Sequence, residues 1–412
     1  MKALLVIAQC DPDDIGESQW GYRIAAGMAQ RTDATLLTMA KPGREGVAAR
    51  AIPQARVIEY REPPLRRFNE RLAAVAKPTH YCFHHFARKA IARLCSEDRF
   101  DIVHCCTPAS PRYPAPVAGV PSGTAVLVGP YSGGLRTPPT FRDEARRLPL
   151  LTRLRSLDAA RFRHDPMLRA GFARADLTLA AAPYVQHSLH DLPIRRTELF
   201  MPIGVGEMPE LGADRGDAPG GPFRLLFIGR LIRTKGAIFA IRALSLLSDI
   251  GPVELDIIGD GDDRRACEEA AGELGPNTIV RFHGHLPHGE AMSYFRSANA
   301  FVFPSFREPA GNVVLEAMSY STPLIILNYG GPGALMPNSA GIAVPLQSPQ
   351  RLPAQLAEAI RTLAQDSALR RRMGAAGRAT IESDFLWPKK LDRLGALYDL
   401  AIELHASRQV RI

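Results

Sequence analysis

Short apolar runs alternate with longer stretches of helical period along most of the chain. That alternation predicts an α/β architecture with parallel sheets, because a strand buried on both faces reads as a continuous apolar run while its crossover helix shows one apolar stripe. In the first half the pattern predicts strands at Ala3–Ala8, Ala34–Thr38, Asp101–His104, Thr124–Val128 and Leu177–Ala181. The second half offers Arg224–Ile228, Glu254–Ile258, Thr278–Phe282, Ala300–Phe303, Pro323–Leu327 and Gly341–Val344. Between the halves, Gly206–Pro222 is rich in Gly, Pro and Asp and has no apolar period, so it reads as a linker. The expected division is a first domain over 1–205, a linker over 206–221, a second domain over 222–384 and a C-terminal helical segment over 385–412. The stretch from Phe385 to Leu404 is amphipathic.

The 412 residues suit two domains, each able to bury an apolar interior. A hydrophobic content of 46% beside 23% charged residues describes a globular chain. Six cysteines without Cys-x-x-Cys spacing point to a reducing, cytoplasmic setting rather than to a disulfide framework. The apolar run after Met1-Lys2 meets Gln9, Cys10 and Asp11 at once, which fits a first strand better than a signal peptide. No apolar run reaches the length of a membrane span.

Two stretches carry candidate chemistry. The apolar run Ala300–Pro304 is followed by Arg307-Glu308-Pro309-Ala310-Gly311-Asn312-Val313-Val314-Leu315-Glu316. This reads as strand, Gly/Pro loop and helix start, with Asn312 expected to cap the helix mouth. Two carboxylates beside a cluster of amide donors suit a ligand with several hydroxyls next to a phosphate. Upstream, Phe227-Ile228-Gly229-Arg230-Leu231-Ile232-Arg233-Thr234-Lys235-Gly236 places Arg230 and Lys235 on another strand-to-helix turn. In doubly wound sheets such turns line the ligand crevice. Taken singly, either stretch reads better as a solvated loop with surface charges than as a site.

Gly229-Arg230 with Lys235-Gly236, Ile258-Gly259-Asp260-Gly261, Phe282-His283-Gly284, Phe303-Pro304-Ser305 and the two glutamates followed by Ala317-Met318 resemble, in order and spacing, family 4 of the retaining glycosyltransferases. The likeness is specific over residues 222–345 and looser before them. It implies a GT-B fold: two facing Rossmann-like domains with parallel sheets, a site in the cleft between them, and a C-terminal helix that crosses back to the first domain. It also implies a nucleotide diphosphate sugar as donor, transfer to a hydroxyl with retention of configuration, and no required metal or other cofactor. Arg230 and Lys235 would then face the diphosphate, Glu308 the sugar hydroxyls and Glu316 the ribose. Gly229 and the backbone of Ala310, Gly311, Asn312 and Val313 would meet sugar and phosphate, and His283 would offer backbone to the base.

The first half departs from the family's commoner pattern, which has a Gly-Gly loop after the first strand and a histidine after a later one. Here Asp14-Ile15-Gly16-Glu17-Ser18 and Gly129-Pro130-Tyr131-Ser132-Gly133-Gly134 stand at those places. Gly16 can still approach a diphosphate. Glu17, His104, Gly133 and Gly134 are the acceptor-side candidates. Asp260-Gly261-Asp262-Asp263 has a metal-binding spacing but falls at a turn where helix capping is the better reading, and His283, His285 and His288 lack a fourth ligand.

Net charge is +9, and between Phe141 and Arg174 nine arginines stand against four acids, interleaved with Leu148, Leu150, Leu151, Leu154 and Leu157. A basic helix of this kind either rests on an anionic bilayer, at the inner face of the cell membrane, or turns its leucines to the domain core. Nucleic acid fits poorly, since the arginines lack interleaved aromatics. The expected activity is sugar transfer to a glycan or lipid-linked acceptor in bacterial surface polysaccharide or glycolipid assembly. The alternatives are a sugar-nucleotide epimerase or dehydrogenase on paired Rossmann domains, and a non-catalytic sugar-nucleotide-binding subunit. Cys10-Asp11-Pro12-Asp13 lacks the Gly-x-Gly-x-x-Gly fingerprint the dehydrogenase needs.

Overall fold

The structure, a computed structural model, describes residues 1–14, 16–62, 78–145, 158–211 and 221–409. The chain forms two compact units, one of Met1–Gly134, Pro149–Pro202 and Trp387–Ile412, the other of Leu135–Leu148 and Ile203–Leu386. Of the expected linker, residues 212–220 lie outside the described residues, as do the five leucines of the basic segment.

The first unit holds a seven-stranded sheet in the order β3-β2-β1-β4-β5-β6-β7. Its strands are β1 (Lys2–Ile7), β2 (Asp33–Ala40), β3 (Arg56–Arg61), β4 (Ile102–Thr107), β5 (Ala125–Tyr131), β6 (Leu177–Ala180) and β7 (Thr197–Leu199). All pairings are parallel, with Ala3 opposite Ala34 on one side and Ile102 on the other. The central strands are buried along their length, as unbroken apolar runs require when helices cover both faces. The apolar pattern did not flag β3 and β7. Both are edge strands with half-exposed side chains and no apolar run to betray them. The helix Trp387–Gln409 belongs to this unit, burying Leu391, Leu394, Leu397, Tyr398 and Ala401 in the core that also takes Ile24 and Met28 of the helix Glu17–Ala29.

The second unit holds a six-stranded parallel sheet in the order β10-β9-β8-β11-β12-β13, formed by β8 (Phe223–Ile228), β9 (Val253–Ile258), β10 (Thr278–Gly284), β11 (Ala300–Phe303), β12 (Leu324–Leu327) and β13 (Gly341–Val344). Strand order reverses between β8 and β11, and the loops leaving those strands flank the reversal, the usual ligand crevice of an open α/β sheet. The described part of Leu135–Leu148, residues 135–145, expected with the first domain, belongs to this unit. Phe141 is fully buried there, its ring 4.8 Å from Phe306 and 6.2 Å from Phe239. Two facing aromatic partners outweigh the segment's place in the chain, which local pattern cannot reveal.

Candidate active site

After β8 the chain makes a tight turn, Arg233–Lys235, and then starts the helix Ala237–Leu244. Gly236 joins them with φ 79°, and a Cβ there would stand 2.2 Å from the Pro304 carbonyl oxygen. Only glycine permits both that backbone and that approach. The turn therefore lies against the end of β11 and sets Lys235 beside Glu308. Their side chains form an ion pair with only 13% and 14% of their surface exposed. Lys235 Nζ also lies 5.5 Å from the centre of the Phe303 ring, a favourable cation–π placement.

Glu308 is fixed from several sides. Its Oε1 accepts from the Ala310 amide at 3.2 Å, and its carbonyl accepts from the Gly331 amide at 2.8 Å. A half-buried pair held this way contributes little net stability, because desolvation offsets the attraction. What it supplies is position: a cation and a carboxylate pre-set at the strand ends.

The helix Asn312–Ser319 follows, with Gly311 at its N-cap in the left-handed conformation, φ 95°. Asn312, expected as the cap, is instead the first helical residue and is exposed. No side chain caps this end, so the free amides and the positive end of the helix dipole suit an anion. Glu316 lies one turn in, with its side chain 28% exposed. Burial pushes its carboxyl up from the usual carboxylate range, and His288, with Nε2 at 3.9 Å, opposes that shift.

His283 ends β10 with its side chain engaged, Nε2 against Asp256 at 2.7 Å and Nδ1 against the Tyr294 hydroxyl at 3.2 Å. Gly229 donates its amide to the Ile258 carbonyl at 2.9 Å, and Arg230 beyond it is exposed. The Asp260–Asp263 turn departs from expectation. Asp263 stands at the N-cap of the helix Arg264–Gly272 without making a side-chain cap; its carboxylate, 6% exposed, instead holds Arg233 at 3.0 Å. Sequence reasoning passed over Arg233, although it lies between the two cations singled out.

The first-unit candidates are scattered by role. Gly16 precedes the helix Glu17–Ala29 with φ 67°, exposed and uncapped. Glu17 Oε1 accepts from the Ala109 amide at 2.8 Å, tying the helix start to the chain after β4. Gly133 and Gly134 follow β5 with φ 98° and 72°. His104 is fully buried, with Nε2 2.6 Å from the Gly129 carbonyl and Nδ1 2.8 Å from the Tyr398 hydroxyl. A carbonyl only accepts, so Nε2 carries the proton and Tyr398 donates to Nδ1. Burial pulls the His104 pKa down to about 4. With both nitrogens occupied inside the sheet, His104 is a core histidine and offers nothing to an acceptor.

Nor is the segment from Phe141 to Arg174 one basic helix. Its described helices are Asp158–His164 and Pro166–Arg174. Arg161 pairs with Asp165, Arg163 with Asp191, and Arg169 and Arg174 donate to backbone carbonyls, so these four cations are engaged within the protein. Among the described residues no helix is long and apolar enough to cross a membrane.

The strand-end pair, the uncapped helix and the second acid all fall inside one stretch of chain with known relatives. Residues 213–380 match the family described as glycosyl transferases group 1. The chain is 36% identical over 202 residues to glycogen synthase of Mycobacterium tuberculosis (strain ATCC 25618 / H37Rv), covering 46% of this chain and 48% of that protein. It is 31% identical over 184 residues to the lipopolysaccharide core biosynthesis glycosyltransferase LpsD of Rhizobium meliloti (strain 1021), covering 45% and 51%. The chain thus spans about half the length of these curated relatives. Among solved structures, sucrose-phosphate synthase from Thermosynechococcus elongatus superposes with a TM-score of 0.66 at 21% identity, covering 97% of this chain and 98% of that one. Anabaena HepE in complex with UDP gives 0.64 at 16% identity, covering 97% and 100%. The structural likenesses establish the fold, GT-B with two Rossmann-like units, and the stretch 213–380 within the second unit is similar to group 1 glycosyl transferases.

Proposed function

We propose that the protein is a retaining glycosyltransferase that moves a sugar from a nucleotide diphosphate sugar to a hydroxyl of a glycan or lipid-linked acceptor in bacterial surface polysaccharide or glycolipid assembly. The observation that carries this reading is the Lys235–Glu308 pair at the ends of β8 and β11, beside an uncapped helix start. The UDP bound to the HepE neighbour supports a nucleotide donor, and the lipopolysaccharide relative supports a surface-glycan acceptor.

In the reaction, the bond between the anomeric carbon and the diphosphate oxygen breaks, and a bond from that carbon to the acceptor oxygen forms on the same face. The acceptor proton passes to the departing diphosphate oxygen. Negative charge grows on the diphosphate as the bond stretches, so fixed donors aimed there lower the barrier. Lys235, Arg230 and the amides of Asn312 and Val313 take that part. Glu308 accepts hydrogen bonds from the donor-sugar hydroxyls, and Glu316 from the ribose; Gly16 and Gly229 give close backbone approach. On the acceptor side, Glu17, Gly133 and Gly134 remain the candidates.

A screen of nucleotide diphosphate sugars, read as release of free nucleotide diphosphate, tests this. The intact protein releases it with at least one donor, and Glu308→Ala lowers the rate roughly a hundredfold, about 3 kcal/mol in barrier. Interconversion of the sugar without release would mark an epimerase, and binding without any turnover a non-catalytic subunit.

A further inference from the structure

The stretch Leu135–Ala145 touches each of the three loops that build the candidate donor site, all within the second unit. At the β12 loop, the Tyr329 hydroxyl donates to the Arg136 carbonyl at 2.6 Å. At the β11 loop, the buried ring of Phe141 packs on Phe306, two residues before Glu308. At the β8 loop, Glu144 Oε2 lies 3.3 Å from Arg233 Nη1. Arg233 is thereby held between two carboxylates, Glu144 on one side and the buried Asp263 on the other. All three guanidinium nitrogens of Arg233 are thereby engaged, Nε and Nη2 with Asp263 and Nη1 with Glu144, whereas Arg230 on the same loop is exposed.

We infer that Glu144 is a positioning residue for the donor site: acting through Arg233, it holds the turn that carries Arg230 and Lys235. A fork of two carboxylates fixes a planar guanidinium in orientation as well as place. The turn between its anchors is short, and the Lys235 amide bonds back to the Ile232 carbonyl at 2.8 Å. Removing the Glu144 carboxylate leaves Arg233 tethered to Asp263 alone and loosens the turn. Glu144 touches no substrate in this scheme. The inference rests on the reading of the second unit as a sugar-nucleotide site, but the hold on the turn is measurable without turnover.

The test compares Glu144→Gln, Arg233→Met and the double variant in the full-length protein. Amide hydrogen exchange of the peptide spanning 231–236 should speed up about threefold or more in Glu144→Gln, with the rest of the second unit unchanged. Nucleotide diphosphate release should fall roughly tenfold in kcat with donor KM within about twofold, since the loss falls on charge developing at the leaving group. In the Arg233→Met background the Glu144→Gln change should cost nothing further, because both act through one interaction. Unchanged exchange over 231–236, or losses that add in full, would overturn the proposal. Faster exchange in a protein whose wild type releases no nucleotide diphosphate from any donor would uphold the hold of Glu144 on the turn and count against the glycosyl-transfer reading.

Discussion

The two sheets follow the same winding, each reversing order beside its first strand, yet they employ the charged groups around that reversal in opposite ways. In the first unit, Arg44 meets Asp11 at 2.5 Å and Asp13 at 2.7 Å, while Lys41 pairs with Asp14, so the cations near β1 and β2 brace the loop ahead of Gly16. In the second unit, Arg233 on the β8 loop is held by Glu144 and Asp263, but Arg230 on that loop is exposed and Lys235 pairs with Glu308 at the strand ends. Two of the histidines contrast likewise: His104 is sealed in the first core, while His288 stands exposed 3.9 Å from Glu316. One scaffold thus yields a braced loop in one unit and the candidate site in the other, and it is loop chemistry rather than topology that separates them.

The contrast can be broken most severely at Gly236. Alanine there must adopt a positive φ and meet the Pro304 carbonyl at 2.2 Å. The expected cost is about 4 kcal/mol, seen as a lower denaturant midpoint of the second unit, with the Lys235–Glu308 pair pulled apart.

The first unit answers to pH instead. His104 has a folded pKa of about 4, below the roughly 6.5 of an unfolded histidine. Its contribution is therefore fully present above the unfolded value and is lost as pH falls toward 4. Over that window wild-type stability should drop by about 3 kcal/mol from this group alone, and His104→Gln should flatten the curve. An equally steep fall in the variant would show that other groups set the acid response.

Much of this organisation was legible in the sequence. Unbroken apolar runs located the central strands, because burial on both faces leaves no polar alternation to confuse them. The edge strands β3 and β7 escaped, since half-exposed edges carry little apolar signal. The candidate site stretches were picked out by strand–turn–helix context and spacing, which are local. What the sequence concealed depends mainly on distant partners, since Phe141 enters the second core and Asp263 turns to Arg233; the shift of the N-cap from Asn312 to Gly311 is a one-residue difference in where the helix starts. His104 was ambiguous for the same reason, its partners Gly129 and Tyr398 lying far along the chain.

The claim beneath all of this is that Lys235 in the second unit grips the diphosphate of a nucleotide donor. Titration calorimetry with UDP as the probe, on wild type and Lys235→Ala, tests it directly. Wild type should bind, and the variant should bind at least tenfold more weakly, about 1.4 kcal/mol. Equal affinity in the two proteins would contradict the account.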